Sequence, residues 1–369
     1  MRFRSHEVRK GVKIIRILST GFGKAAPWRR ALDFGSFLLI CFLRMLTLPR
    51  FDQIIAMTSP PLLSSLAAAI VKIRGGSLVC WVLDLNPDEA VAAGWLREDS
   101  PVCRMLRRIG EFAYATASRI VVMDRFMADR VAAYGVPHEK IAVIPPWAHD
   151  ESVCYDSEGR EAFRLEHGLA GRFVVMYSGN HSPCHPLDTL LEAARRMKND
   201  VNVAFCFIGG GSEFARVKAY AAGHRLGNIL CLPYVPLHRL SASLSSADLH
   251  TVVMGDPFVG MVHTCKVYNI LALGIPFLYL GPEHSHITDL VSDAARPSFA
   301  KRAEHGDVDS VIRIIRNAAS SRIPVPIAAE QALARNYSQE ALLPAMCDVL
   351  NEATGLPSVP VTRESLALK

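Results

Sequence analysis

No apolar run in this 369-residue chain reaches the roughly 20 residues needed to span a bilayer. The best candidate, FGSFLLICFLRML at 34–46, is too short and contains Arg44. Charges interrupt every early apolar run, so the N-terminus lacks a signal-peptide layout. None of the nine cysteines forms a C-x-x-C pair, and Cys80, Cys206 and Cys231 fall inside expected strands, the usage of free thiols in a reducing cytosol. HSPCH places His181, Cys184 and His185 close together, but no second cluster supplies further zinc ligands, so no metal is expected. Aromatics are few, at 8%, and they do not interleave with the basic residues, so no nucleic-acid partner is expected. Acidic residues are scarce at the start. The first fifty residues hold eleven Lys and Arg against Glu7 and Asp33, about +9 of charge in a chain whose net charge is +6. With the apolar 34–46 stretch among those charges, the reading is an anionic membrane surface and a cytoplasmic, peripheral location on the inner face of the membrane.

What is present alternates. Residues 51–59, 77–85, 118–124 and 140–147 read as strands, separated by helices at 60–75, 100–117 and 125–135. Ser100 and Pro101 suit a helix cap and the first helical position. A polar, acidic stretch at 148–172 reads as a linker. Strands at 173–179, 203–211, 229–235, 248–254 and 276–281 then alternate with helices, and 337–355 reads as a last amphipathic helix before a frayed end. This predicts an α/β chain of two tandem doubly wound Rossmann-like domains, 1–150 and 151–345, followed by a helix and tail at 346–369. In such sheets ligands sit beyond the carboxyl ends of strands, so the cleft between the domains is the expected site.

Three strand-to-helix loops of the second domain carry the chemistry: YSGNHSPCHPLD, FIGGGSEF and GDPFVGMVHTCKVYN. Glycines in such loops let a phosphate approach backbone N–H groups at a helix start. FIGGGSEF is not the dinucleotide fingerprint, because Phe214 stands where the third glycine would be. Lys266 lies between Cys265 and Val267, at the start of an apolar helix. It reads either as a lysine snorkelling to water or as a cation aimed at a phosphate.

From about residue 51 to 352, FDQIIAMTSPPLLSSLAA, WVLDLNPDEAVAAGWL, ASRIVVMDRFMADRVAAYGVPHEKIAVIPPW, YSGNHSPCHPLDTLLEAA, FIGGGSEF and CKVYNILALGIP make the chain resemble the family 4 glycosyltransferases of the two-domain GT-B fold. The likeness is to bacterial surface-polysaccharide enzymes with a PSKLYG-like helix start. It implies a retaining, metal-independent hexosyl- or N-acetylhexosaminyltransferase with no cofactor. The donor is a nucleotide sugar, expected to be a UDP-sugar, bound to the second domain. The acceptor is a glycan, expected to be lipid-linked, bound to the first. The resemblance assigns donor contacts to Gly179, Asn180, His185, Gly209, Gly210, Gly211, Tyr234, Val235, His263, Thr264 and Asn269, with Lys266 on the leaving diphosphate.

The departures are specific. The usual loop arginine and lysine fall on Asn180 and His185, and the two glutamates of the family's E-x7-E motif fall on Met261 and Asn269. Lys266 is then the strongest cation left. Family members also begin with a strand and glycine-rich loop that this chain does not show, so the first domain is expected to lack its first strand. Asp84, in LDLNPDE, reads as a helix cap or as a carboxylate serving the acceptor hydroxyl. A non-catalytic binding protein of the same fold is the second reading. A sugar-nucleotide 2-epimerase ranks below it, for want of carboxylates in the second domain.

Overall fold

The computed structural model describes residues 5–22, 27–147, 153–292, 300–321 and 323–354. The 148–152 junction and the tail beyond 354, both named above, lie outside these residues. The chain opens with an antiparallel hairpin of β1 (His6–Arg9) and β2 (Val12–Ile15), followed by α1 (Pro27–Thr47). Then come β3 (Gln53–Met57), α2 (Leu63–Arg74), β4 (Ser77–Trp81), α3 (Asp88–Ala92), α4 (Pro101–Thr116), β5 (Arg119–Val122), α5 (Arg125–Ala133) and β6 (Ile141–Val143). These strands form a four-stranded parallel sheet in the order β3-β4-β5-β6. Ser100 caps α4 by accepting the Cys103 N–H, with Pro101 in the first turn, as its sequence predicts. Among the described residues β3 is an edge strand: β1 and β2 pair with each other and not with it, and Ile55 and Met57 are exposed along it.

The second unit runs α6 (Ser157–Glu166), β7 (Phe173–Asn180), α7 (Asp188–Arg196), β8 (Val203–Gly210), α8 (Phe214–Gly223), β9 (Ile229–Leu232), α9 (Leu240–Ser245), β10 (Leu249–Val253), α10 (Lys266–Leu273), β11 (Phe277–Leu280), α11 (His286–Ser292), β12 (Ala300–Ala303), α12 (Val308–Ser321) and α13 (Ala328–Arg335). Its strands form a parallel sheet in the order β12-β11-β10-β7-β8-β9. Strands β8, β10 and β11 are mostly apolar and buried on both faces, as helices on both sides of a parallel sheet require. From β7 the chain winds outward through β8 to β9, then returns through β10 to β12 on the other side. The order therefore reverses between β7 and β10, which pair only at Val175 with Leu249 and at Met176 with His250. A crevice at such a reversal, beyond the carboxyl ends of the strands, is where doubly wound sheets bind ligands. The last helix, α14 (Gln339–Thr354), returns to the first sheet: Met346 packs with Val79, Val121 and Ile144, and Gln53 donates to the Leu350 carbonyl at 2.8 Å.

Two expectations change. The linker expected at 148–172 contains α6, capped by Asp156 through the Gly159 N–H at 2.8 Å. Its polarity misleads because two of its arginines are buried. Arg160 donates to the Ser245 and Ala247 carbonyls and Arg164 to Ser246, covering the orphan carbonyls at the end of α9, and both pair with Asp248. The strand expected at 77–85 ends at Trp81. Leu83 and Asp84 lie beyond it, both giving their N–H groups to the Thr58 hydroxyl.

Asp248 is the only carboxylate that pairs with both guanidinium groups among the described residues. Asp248→Ala leaves buried Arg164 with no carboxylate and buried Arg160 with only the looser Glu161 contact at 3.7 Å, and a loss of about 3–5 kcal/mol in unfolding free energy follows. Urea denaturation reads this as a lower midpoint. Leu165→Ala on the same helix, where Leu165 is 71% exposed, is the control that leaves the midpoint in place.

Candidate functional site

The crevice between β7 and β10 holds a cavity of about 200 Å³, lined by Ser178, Gly179, Tyr234, Val235, Ser243, His250, Thr251, Lys266 and Asn269 among others. Lys266 is the first residue of α10, and its helix start faces the end of β7. Its Nζ is buried and makes no hydrogen bond, and it sits 3.7 Å from the centre of the Tyr177 ring. A snorkelling lysine buries its stem and exposes its ammonium. Lys266 does the reverse: the residue as a whole is partly exposed while the charged end is enclosed. Burial pulls its pKa down from the usual lysine value to about 7. The ring face of Tyr177 compensates only part of that loss. Gly179 makes room for the ammonium, since a Cβ there would stand 3.2 Å from Nζ in a backbone with φ of 139°.

The histidines around the lysine add no counter-charge. Burial first, and the Lys266 charge second, lower His181 to about 4 and His185 to about 3. His185 was expected to contact phosphate. Its Nδ1 lies 2.7 Å from the Val253 carbonyl, which can only accept, so its ring N–H is committed and its other nitrogen is an acceptor. A neutral His185 therefore has no donor for a phosphate. Gly209 and Gly211 also have another task. β7 and β8 pair as far as Asn180 and Gly210, and a Cβ on Gly209 would stand 2.0 Å from the Gly179 carbonyl oxygen. A Cβ on Gly211 would meet the His181 carbonyl at 2.2 Å, and that carbonyl takes the Glu213 N–H before α8. Neither Gly209, Gly210, Gly211 nor the exposed Asn180 lines the cavity.

His263 and Thr264, expected among the donor contacts, do not line this cavity. The His263 side chain is buried between Asp124 Oδ2 at 2.7 Å and the Tyr268 hydroxyl at 2.8 Å, with no ring nitrogen left for a donor. Thr264 is buried, and its N–H goes to His286 Nε2 at 3.1 Å. That bond puts the His286 proton on Nδ1, so the Asp124, His263 and His286 cluster offers no free ring lone pair to a metal.

Asp84 lines a second cavity of about 180 Å³ in the first domain, with Thr58, Leu62, Ser64, Ser65 and Tyr114. Burial raises its pKa. Leu62 in this wall has φ of 69°, an uncommon conformation for leucine and one that clusters at functional sites. Asp84 forms an antiparallel bridge with Val262, and Leu85 donates to the Met261 carbonyl at 2.9 Å, so this wall is tied to the segment that enters α10. Sequence reasoning missed Tyr177, Thr58 and Leu62. Only the aromatic at the end of β7 could have been found, as a ring next to a strand-to-helix loop. A larger cavity, about 350 Å³, opens at the opposite, amino-terminal ends of the strands. Its Arg160 and Arg164 are engaged with Asp248 and the α9 carbonyls, and it is remote from these loops.

Two tandem parallel sheets, the first in sequential order β3-β4-β5-β6 among the described residues and the second doubly wound with a crevice at its reversal, match the GT-B architecture; the first sheet thus departs from the doubly wound form expected of it. Sucrose-phosphate synthase from Thermosynechococcus elongatus superposes with a TM-score of 0.76 at 11% identity, over 96% of this chain and 86% of that one. Anabaena HepE in complex with UDP-glucose superposes with a TM-score of 0.69 at 14% identity, over 89% and 84%. In sequence, residues 2–147 match the family described as glycosyl transferase 4-like domain. The glycosyltransferase WbjE of Pseudomonas aeruginosa is 28% identical over 65% of this chain and 60% of its own length, so the chain spans about six tenths of that relative. The colanic acid biosynthesis glycosyl transferase WcaI of Escherichia coli K12 is 22% identical over 85% of this chain and 76% of its own length. The chain thus resembles family 4 glycosyltransferases in sequence as well as in fold.

The lysine makes a pH prediction. Its pKa, about 7, lies below the ordinary 10.5, and an anion placed against it would raise it again. Above pH 7 the amine is mostly neutral and would have to take up a proton to bind an anion. Affinity for a nucleoside diphosphate therefore falls as pH rises above 7, by up to about tenfold per unit. Calorimetry at pH 8.5 in buffers of different ionisation enthalpy reads the uptake of close to one proton, and Lys266→Met abolishes it.

Proposed function

We propose that the chain is a glycosyltransferase that moves a sugar from a nucleoside-diphosphate sugar to a glycan acceptor of a surface polysaccharide or glycolipid. The observation that carries this reading is the enclosed, unpaired Lys266 ammonium at the sheet's reversal. A helix N-terminus disfavours a cation, so the placement makes sense when an anion shares it. The diphosphate lies against Nζ and the start of α10, and Asn269 faces the same cavity for a ribose hydroxyl. As the sugar–oxygen bond breaks, negative charge grows on the leaving phosphate oxygen, and Lys266 stabilises it without a metal. Asp84, in the first-domain cavity across the seam, orients the acceptor hydroxyl and takes its proton. The relative named for colanic acid synthesis and the neighbour holding UDP-glucose support a uridine donor and a polysaccharide acceptor. Transfer with retention of configuration follows the same family resemblance.

Lys266→Ala lowers kcat/KM by about 2–4 kcal/mol of transition-state stabilisation. Asp84→Asn spares nucleotide binding and removes transfer. Radiolabelled transfer from a panel of nucleotide sugars measures both. Wild-type rates in the lysine variant would refute the phosphate role. The loss of both family glutamates, to Met261 and Asn269, favours one further reading, a binding protein of the same fold. That reading stands if wild-type protein binds a nucleotide sugar but neither transfers nor hydrolyses it.

The acceptor is lipid-linked in this proposal, because α1 is built to lie on a membrane at the cytoplasmic face. Trp28, Leu32, Leu39, Leu43 and Leu46 fall on one stripe of the helix and are exposed, at 37% to 59%. No helix among the described residues is long and apolar enough to cross a membrane. An interfacial helix beside a basic segment binds anionic bilayers. Liposome flotation with anionic vesicles recovers wild-type protein, and recovery falls with salt. The double variant Leu39→Glu, Leu43→Glu stays in the soluble fraction. Equal recovery of wild type and variant would count against the stripe.

A further inference from the structure

Val259 to His263, the segment that delivers Lys266, is fastened to the first domain residue by residue. Arg130 donates to the Val259 carbonyl at 2.6 Å. Gly260, with φ of 71°, lies so close that a Cβ would stand 2.5 Å from the Phe126 carbonyl oxygen. Leu85 donates to the Met261 carbonyl, and Asp84 bridges Val262. The last fastening is polar and buried. Asp124 caps α5 by accepting the Met127 N–H on Oδ1 at 2.8 Å, and its Oδ2 takes His263 Nδ1 at 2.7 Å. A carboxylate only accepts, so His263 Nδ1 carries a proton, and in the neutral imidazole Nε2 accepts from the Tyr268 hydroxyl at 2.8 Å. Tyr268 stands two residues beyond Lys266 on α10.

We propose that Asp124 is a positioning residue for Lys266. Through one imidazole in a fixed tautomer, a first-domain carboxylate sets both the residues before Lys266 and the helix that carries it. Nothing in packing alone calls for a carboxylate here, since an apolar contact would dock the domains without burying a charge. Its presence is explained by the direction it imposes: Asp124 accepts, His263 passes the bond along, and Tyr268 donates. This chain of hydrogen bonds has one polarity and so one register for the start of α10. A consequence is that filling the second-domain crevice is felt in the first domain, at α5 and at the segment holding Asp84.

This inference rests on the donor reading of Lys266, and the test separates the two. Serine and asparagine both cap helices well, so Asp124→Ser and Asp124→Asn keep the α5 cap. Neither offers His263 the carboxylate acceptor. The probe is whichever of UDP, GDP and dTDP the wild-type protein binds most tightly, followed by calorimetry. Both variants are expected to weaken binding by about tenfold or more, the scale on which a misplaced contact acts. Wild-type affinity in either folded variant would overturn the proposal, because it would leave Asp124 as a helix cap only. Lys266→Ala run in parallel decides the underlying reading: if that variant binds normally, the donor reading fails first. A measurement on wild type needs no variant. Hydrogen–deuterium exchange with and without the nucleotide is expected to show slowed exchange in peptides covering 82–86 and 125–128. Protection confined to second-domain peptides would overturn the coupling.

Discussion

The buried ammonium of Lys266 is the constraint around which the second domain is arranged. A charge enclosed without a partner is destabilising, and the structure relieves it in small ways only: a ring face at 3.7 Å, and a pKa drawn down to about 7. No carboxylate answers it within hydrogen-bond reach. The imidazoles nearby are held neutral by their own burial, so they neither compete for an anion nor repel the lysine strongly. Gly179 is fixed by the same constraint, because any side chain there would press on Nζ. What results is a concave space with one cation, Lys266, in its lining.

The loop between β10 and α10 serves two demands at once. Where the family resemblance places glutamates, this chain has Met261 and Asn269. The Met261 carbonyl accepts from Leu85, so that stretch of loop is engaged through its backbone in the domain seam. With Met261 and Asn269 at those positions, what the loop shows is backbone engagement that fixes where α10 begins. Backbone bonds suit that task, since they locate a segment irrespective of the side chains it carries.

Much of this architecture is legible in the sequence, for a physical reason. Strands of a parallel sheet covered on both faces are continuous apolar runs, and β7, β8, β10 and β11 stand out as such beside polar-faced helices. Lys266 is legible because it interrupts one of these apolar stretches. Helix α6 was not, because burying Arg160 and Arg164 against Asp248 makes a packed helix look like a solvated linker. His263 and His185 show what loop position leaves open, because it does not say where a ring N–H is directed. His263 has both ring nitrogens engaged within the protein, His185 commits its Nδ1 to the Val253 carbonyl, and Thr264 gives its backbone N–H to His286. The glycines at 209 and 211 suit a phosphate cradle in sequence, and in the structure close approach to the Gly179 and His181 carbonyls already requires them. Asp84 lay in the expected place but past the end of its strand, held by Thr58 and by a partner from the other domain that no local pattern could reveal.

Burial moves the two candidate reacting groups in opposite directions. It raises Asp84 and lowers Lys266, so each is pushed toward its neutral form on its own side of the seam. In the proposed reaction a diphosphate beside Lys266 would restore the ammonium. The same negative charge would make ionised Asp84 harder to hold, which would strengthen it as a base once it has lost its proton. On that proposal the donor prepares both sides: it recruits the cation that stabilises its departure, and it sharpens the carboxylate that takes the acceptor's proton. Such an arrangement works only if the two groups keep a fixed relation, and the bridge between Asp84 and Val262, four residues before Lys266, supplies it through backbone alone.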